Sequence, residues 1–325
     1  MSSLRRLFAI ISSVVIVAVA GWAVYHRQYL FDQVRVWQYK PDGAIVQLAE
    51  RAHFTDKGKF YFYVSHPRLE DAAAFNQDCR RVEQASPIVG CFISGKDQMY
   101  LYNITDPALD GIKEVTAAHE MLHVVWSRLT QPEQQRLTGL LEAAYNKHAS
   151  AKLAERMAYY ERAQPGARSN ELHSILGTEY ADLGPELEAH YATYIADRAK
   201  VLALHQQYNQ TFVQNEERAG QLSTTLAALK PEIQRLSERY QRDVATYNTS
   251  VALFNKRAES GAFQSQAAFD AERQTLAAER QALRQRYEYI DQKIRTYNQT
   301  AEQLNALGRQ IQRLQQSLDS VEGGR

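Results

Sequence analysis

The last third of this 325-residue chain spaces its apolar residues alternately three and four positions apart, and this heptad pattern constrains the fold most strongly. Such spacing gives a helix one apolar stripe, which must pack against another helix. One stripe comprises Leu226, Leu229, Ile233, Leu236, Tyr240, Val244, Tyr247, Val251 and Phe254; the other comprises Leu283, Tyr287, Ile290, Ile294, Tyr297, Ala301, Leu304, Ile311, Leu314, Leu318 and Val321. Ser260-Gly261-Ala262-Phe263 between them is a turn signal. The sequence therefore predicts an antiparallel coiled-coil hairpin over 201–322, turning near 259–264.

Within the first arm, Pro231 is expected to kink the helix or begin a new one, and Gly220 to mark another break. The helix that begins near Pro185 is expected to continue into this arm without a linker. The arms carry mixed charges and many Gln residues, which is typical of a solvated face. We expect them to act as a spacer or to mediate self-association or partner binding. The whole chain has 38 basic and 37 acidic residues, so nucleic acid is not an expected partner.

At the other end of the chain, the 18 residues from Leu7 to Val24 contain no charge, and Arg5 and Arg6 precede them. A helix of this length spans roughly the 30 Å of a hydrocarbon core, and the basic pair favours a cytoplasmic N-terminus. We therefore expect a cytoplasmic segment at 1–6 and a single transmembrane anchor at 7–25. The alternative is a signal peptide cleaved near Ala18-Val19-Ala20, but the apolar run is longer than is usual for one. Both interpretations place the remaining chain outside the cytoplasm.

The only two cysteines, Cys79 and Cys91, lie twelve positions apart. An extracytoplasmic compartment permits a disulfide, and a turn at Ser86-Pro87 would bring the two sulfur atoms together. The alternative is a pair of free buried thiols. No Cys-x-x-Cys spacing suggests a thiolate metal site.

Residues 40–200 form the predicted globular domain. The pattern predicts strands at Lys59–Val64, Ile88–Ser94 and Met99–Ile104, the last two as a hairpin. It predicts helices at Pro41–Ala52, Leu69–Cys79, Ile112–Leu129, 132–148 and 151–163, and a short helix from Ser169 that Gly177 ends. A few strands and many helices define a mainly helical α+β domain with a small sheet.

The motif that carries chemistry is His119-Glu120-Met121-Leu122-His123, an HExxH sequence on the predicted helix at Ile112–Leu129. Histidines four residues apart share one helix face, so both rings can bind one metal ion. Glu120 is then the expected general base toward a water that the ion activates.

A third ligand is expected downstream, at Asn170-Glu171 on the next short helix. These two motifs resemble the gluzincin branch of HExxH zinc metallopeptidases, in which an Asn-Glu pair on a second helix supplies the third ligand. The resemblance implies a zincin-like fold, a Zn²⁺ cofactor and peptide-bond hydrolysis, with His119, His123 and Glu171 as metal ligands. The Asp that gluzincins carry four residues after the ligand Glu is replaced here by Ile175.

Several alternatives concern neighbouring residues. Glu179 is the second candidate for the third ligand. His173 is predicted to stabilise the oxyanion or to serve as a third nitrogen ligand, although it could equally be a helix-surface or core histidine. Tyr180 and His190 are weaker candidates for the same role. Asp106 and Asp110 are expected at turns and helix caps instead of at the metal.

Together these features predict a membrane-anchored, extracytoplasmic zinc metallopeptidase that cleaves proteins or peptides of the cell envelope. The alternative is an envelope scaffold or adaptor, whose coiled coil is functional and whose zinc site is structural or inactive. The two hypotheses differ in coordination, because structural zinc sites are closed by four protein ligands and catalytic sites keep one position open.

Overall fold

The computed structural model describes residues 2–79 and 88–321, with side chains from residue 14 onward, and is mainly helical. The helices are α1 (Ser2–Tyr25), α2 (Arg27–Gln38), α3 (Gly43–Arg51), α4 (Asp56–Val64), α5 (Ala72–Asp78), α6 (Ile112–Arg128), α7 (Gln131–Lys147), α8 (Ala151–Ala163), α9 (Arg168–Glu179), α10 (Pro185–Ala192), α11 (Arg198–Glu259) and α12 (Gln266–Leu318). The strands are β1 (Arg68–Glu70), β2 (Gly90–Ile93) and β3 (Gln98–Tyr102). The predicted α+β class, mainly helical with a small sheet, is confirmed.

The chain divides into two compact units, one comprising Met1–Thr211 and Leu314–Arg325 and the other comprising Phe212–Arg313. In the second unit, α11 and α12 are joined by three ion pairs, Glu232 with Lys293, Asp243 with Arg286, and Arg257 with Glu272. The partner's number falls as the first number rises, so the two helices run antiparallel. Three aromatic rings, Phe254, Phe263 and Phe269, pack together where the chain turns.

No new helix begins at Pro231 and no break occurs at Gly220, because α11 continues through both residues. Pro231 removes one backbone hydrogen bond from the helix. The stripe residue Leu229 nearby is buried, and the ion pair of Glu232 follows directly, so packing on both sides holds the helix together.

The sheet of the first unit has the strand order β1-β3-β2. β1 is parallel to β3, with Arg68 opposite Tyr100, and β2 is antiparallel to β3, with Cys91 also opposite Tyr100. The predicted hairpin is therefore confirmed. So is the disulfide, which joins Cys79 after α5 to Cys91 in β2. The turn expected at Ser86-Pro87 lies outside the described residues.

Helix α6 is the centre of the first unit, buried over most of its circumference and packed chiefly against α9. Gly111 precedes its first residue with a φ of 93°, which suits glycine, and a Cβ atom there would lie 3.0 Å from Cβ of Leu204. The surrounding core is formed by apolar residues from the other elements, among them Ile45, Phe62, Leu101, Leu137, Leu141, Leu172, Ile175, Leu187 and Tyr191. Because the motif helix is this buried, its side chains are held in fixed positions.

One strand prediction was wrong: Lys59–Val64 belongs to α4. The hydroxyl of Thr55 accepts a hydrogen bond from the Gly58 N–H at 3.0 Å, which caps a helix at its start. Phe62 and Val64 are buried in the core, and α4 packs on α2 and α6. The cap and this packing outweigh the strand preference of the aromatic residues.

Three boundaries also differ from expectation. Leu69–Cys79 is divided between β1 and α5, because Asp71 caps α5 through the Ala74 N–H at 2.9 Å. Gly177 lies inside α9 and does not end it. The helix from Pro185 stops at Ala192, and the chain pairs there through an isolated bridge between Phe54 and Ile195 before α11 begins.

The N-terminal helices form a bent pair. Among the side chains that the structure describes, no single helix has both the length and the apolar composition to cross a membrane. Val14–Tyr25 and Arg27–Gln38 reach that length and composition only together, with a bend of 72° between them.

Candidate metal centre

The two histidines of the HExxH motif face each other across one turn of α6. Nε2 of His119 lies 3.1 Å from Nε2 of His123. Glu171, on α9, approaches both rings: its Oε2 is 3.9 Å from Nε2 of His119, and its Oε1 is 3.7 Å from Nε2 of His123. One ligand atom from each of the three residues lies within 4.8 Å of the other two. This group of two nitrogens and one carboxylate, here called the three-donor group, could hold a metal ion.

One oxygen atom of the three-donor group lacks a hydrogen-bond partner among the described residues, as expected for an atom that binds a metal ion. The side chain of Glu171 is only 4% exposed, and its Oε2 has no hydrogen-bond partner among the described residues. A buried carboxylate oxygen without a partner is costly unless a cation or water satisfies it. The chemistry of the donors therefore fits a divalent cation.

Burial and neighbouring charges set the protonation of this group. Burial raises the pKa of Glu171, although His123 and Arg156 act in the opposite direction. Burial lowers the pKa of His119 well below its usual value. For His123 burial also favours the neutral form, but the carboxylates of Glu171 and Glu120 outweigh it and raise the pKa.

A second layer of contacts orients His123. Its Nδ1 lies 2.9 Å from Oδ1 of Asn170 and 3.3 Å from the hydroxyl of Ser174. With the amide oxygen accepting, Nδ1 carries the proton and Nε2 presents its lone pair to the group. Asn170 thus provides the support that is missing at Ile175, which is buried in the core. The Asn-Glu pair was noticed in the sequence, but this role of its Asn was not.

Glu120 lies beside the three-donor group and is 6% exposed. Burial raises its pKa to about 7, with His123 lowering it and Glu171 raising it. A Cβ atom on Gly90, the first residue of β2, would lie 3.0 Å from Cγ and Oε1 of Glu120. The absence of a side chain at Gly90 therefore lets β2 begin directly against this carboxylate.

His119 and Glu120 line a cavity of about 570 Å³ in the first unit. Its other walls come from the start of β2 and the residues just before it, from α6, α8 and the end of α9, and from α11; they include Val89, Val115, Thr116, Tyr159, Tyr160, Glu179 and Tyr208. The arrangement gives a ligand in the cavity access to a buried carboxylate and to one of the three donors.

Glu179, the second candidate ligand, lies outside the three-donor group. Its carboxylate accepts hydrogen bonds of 2.6 and 2.7 Å from Nη1 of Arg156, and Nε2 of His205 is 3.5 Å away. Arg156 also hydrogen-bonds Tyr160, and burial raises the pKa of that phenol to about 12. In the sequence, only their spacing of four residues on α8 relates Arg156 to Tyr160, and no motif marks either residue.

The structure places His173 away from the three-donor group. It follows Glu171 by two residues on α9, so the two side chains leave the helix in different directions. Its buried Nε2 lies 2.8 Å from Nε2 of His190, and the ring packs on Trp126. Burial lowers the pKa of His190 to about 4, so this histidine pair is held neutral.

Tyr180, Asp106 and Asp110 also lie outside the three-donor group. Tyr180 follows the end of α9 and contacts His148. Asp106 caps the turn Pro107–Leu109, and Asp110 forms a 3.0 Å ion pair with Arg51.

No family model, curated protein or solved structure matches the chain. The geometry of the three-donor group and the cavity is therefore the basis for any functional assignment.

Proposed function

We propose that the chain is a membrane-anchored zinc metallopeptidase whose centre is the three-donor group. One observation carries the proposal: α6 and α9 bring ligand atoms of His119, His123 and Glu171 within 4.8 Å of one another, while Glu120 lines the same cavity as His119. Metal-assisted hydrolysis requires a metal-binding group and, next to it, a buried acid such as Glu120 that is not itself a metal ligand.

The donor set favours zinc among the common divalent ions. Two imidazoles and one carboxylate suit a borderline ion, whereas calcium and magnesium take oxygen ligands. A bound zinc ion would supply Lewis acidity toward water and toward the carbonyl oxygen of a peptide. Among the described residues the group has three protein donors, one fewer than closes a structural zinc site. This count supports the peptidase over the scaffold with a structural site.

Three residues of the chain would each have a separate role in the reaction. Glu120, with a pKa of about 7, takes the proton from water near neutral pH and returns it to the leaving amine. Asn170 keeps the proton of His123 on Nδ1 and fixes the ring. Arg156 is close enough to Glu171 to stabilise its ionised form.

The location of the peptidase is proposed from the N-terminus. The uncharged run Leu7–Val24 would anchor the chain, and residues Val14 to Val24 in α1 expose most of their large apolar side chains. The confirmed disulfide is of the kind that persists outside the cytoplasm. The substrates would then be proteins or peptides of the cell envelope, and the antiparallel helices of the second unit would form a coiled-coil arm for self-association or partner binding.

Metal content and proteolysis, measured on the purified full chain in detergent, test the proposal. We expect about one zinc per chain in the wild type and in Glu120→Gln, with peptide cleavage lost by at least about 10²-fold in the variant. His119→Ala should lose both. The control is Glu186→Gln, which should leave both unchanged, because among the described residues that exposed carboxylate forms an ion pair with the equally exposed Arg136. Cleavage by Glu120→Gln at the wild-type rate, or a wild type that binds no zinc, would contradict the proposal.

A further inference from the structure

In helix α2 a charged residue is buried against the protein and large apolar residues are exposed, the reverse of an ordinary surface helix. Its acidic residue Asp32 is 2% exposed and accepts hydrogen bonds of 3.0 Å from Nε and Nη2 of Arg128 on α6. Nε of Arg35 donates to the carbonyl oxygen of Val64 at 2.8 Å. The polar side of α2 is thus the side that holds it to the first unit.

The opposite side of α2 is apolar and exposed. Leu30, Val34 and Trp37 are four and three residues apart, and at 100° per residue they lie within about 40° of the direction opposite Asp32. Their exposed fractions are 36%, 49% and 84%, and Phe31 beside them is 65% exposed. A stripe of large apolar side chains at helical spacing indicates an interaction surface when it faces outward.

The position of this surface indicates what covers it. α2 begins two residues after Tyr25, where α1 ends, and the sequence of α1 from Leu7 to Val24 is uncharged. The two helical segments meet at 72°, so α2 runs nearly across the direction of α1. If α1 crosses a bilayer, α2 therefore lies close to the bilayer plane. The ion pair of Asp32 keeps α2 on the first unit and prevents it from continuing into the hydrocarbon.

The chemistry of the outer face also matches a lipid interface. Trp is enriched at that depth, and Trp37 on the outer face is 84% exposed. The acidic residue of α2 is buried, which leaves Arg27 as the charge on the outer side, close in angle to Val34. A single cation beside an apolar stripe complements a lipid phosphate above acyl chains.

We propose that α2 is a lipid-docking helix, whose face of Leu30, Phe31, Val34 and Trp37 is embedded in the headgroup region of the membrane that α1 crosses. This inference depends on the anchoring part of the proposed function and is independent of the peptidase part. It implies that the first unit has a fixed side toward the membrane.

Nitroxide accessibility in nanodiscs tests the docking. The native cysteines are paired, so Val34→Cys gives a single labelling site in the full chain, and Ala143→Cys on the exposed side of α7 is the matched control. Nanodiscs contain equal parts of phosphatidylcholine and phosphatidylglycerol. We expect the label at 34 to be at least about threefold less accessible to a water-soluble nickel chelate than the label at 143, and more accessible to oxygen. Leu30→Cys should behave like Val34→Cys.

Three results would overturn the inference, each in a different way. Equal nickel accessibility at both positions, in chains that enter nanodiscs, would refute docking but leave the anchor intact. Failure of the chain to enter nanodiscs would refute the anchor and the docking together. Spectral broadening at 34 that disappears on dilution with unlabelled chain would show that a second copy covers the face. The zinc content of the same samples is measured as well, and it tests the metal site of the peptidase proposal independently of the docking.

Discussion

Gly177 lies at a tight contact of α9 with α6, the two helices of the candidate metal centre, and replacing it with Ala is the sharpest test of how the centre is built. A Cβ atom there would lie 2.6 Å from Cδ1 of Leu122 on α6 and 2.6 Å from Cε1 of Tyr191 on α10. Both neighbours are fully buried, and the Tyr191 hydroxyl is held by a 2.8 Å bond to the carbonyl of His173. Neither side chain can yield without moving its helix.

The expected magnitude has two parts. Replacing a helical Gly with Ala favours folding by about 1 kcal/mol through helix propensity. Overpacking a rigid core costs about 1–3 kcal/mol, and the two fully buried neighbours favour the upper part of this range. Gly177→Ala should therefore lower the free energy of unfolding by about 1–2 kcal/mol.

Gly139→Ala provides the matched control. Gly139 also lies inside a helix, α7, but a Cβ atom there meets none of the described residues within 4 Å. This variant gains only the propensity contribution and should be about 1 kcal/mol more stable than the wild type. The difference between the two variants isolates the steric contribution.

Thermal unfolding of the first unit, followed by circular dichroism of the full chain, measures both variants. The melting temperature should fall for Gly177→Ala and rise for Gly139→Ala, by about 2–4 °C per kcal/mol. Zinc affinity should also fall for Gly177→Ala alone, because α6 carries the histidines and α9 carries Glu171. If Gly177→Ala is as stable as Gly139→Ala and binds zinc like the wild type, then close packing of α6 on α9 does not position the centre.

Three further predictions concern Asn170 beside the candidate centre, the half-buried histidine His190, and the Asp32 ion pair that holds α2. Asn170→Ala should weaken zinc binding about 10–100-fold, measured by competition with a chelating dye, because His123 loses the acceptor that fixes its tautomer; an unchanged affinity would exclude this role. Acidification should destabilise the first unit. The pKa of His190 is about 4 in the folded state and 6.5 in the unfolded chain, so the unfolded chain binds more protons between these values. The free energy of unfolding should therefore decrease as the pH falls through this window, by about 2 kcal/mol between pH 7 and pH 5. Urea titrations at pH 7 and pH 5 should show this loss, and His190→Gln should reduce it; an equal loss in the variant would assign the effect elsewhere. Asp32→Ala should lower the unfolding free energy by about 3 kcal/mol in urea titration, because it leaves the buried guanidinium of Arg128 with weaker compensation; a change below about 1 kcal/mol would mean that the pair is not holding α2.

The helices that were predicted correctly are those whose apolar pattern matches their burial. The stripe of α6 faces the core as its spacing predicts, and the turn between α11 and α12 falls at the Gly-containing break. The prediction from the sequence was wrong at α4, where the segment KFYFYV taken alone favours a strand. A cap at Thr55 and contacts from distant elements determine the helix there, and local propensity contains neither.

Gly177 shows the same limit for single residues. In the sequence it resembles a helix stop, because glycine is common after the last turn. In the structure its lack of a side chain serves the contact between α9 and α6, and the helix continues. Whether a glycine ends a helix or allows two helices to approach depends on a partner that is distant along the chain.

The candidate site could be predicted only as far as its local motif. His119, Glu120 and His123 lie within one turn and a half, so helix geometry alone places them together. The choice between Glu171 and Glu179 depends instead on α8, because the guanidinium of Arg156 hydrogen-bonds the carboxylate of Glu179, whereas Oε2 of Glu171 has no hydrogen-bond partner among the described residues. An acid already neutralised by a cation gains less from a metal than one that lacks a partner. Tertiary contacts, and not the spacing of the motif, therefore favour Glu171 as the third candidate ligand.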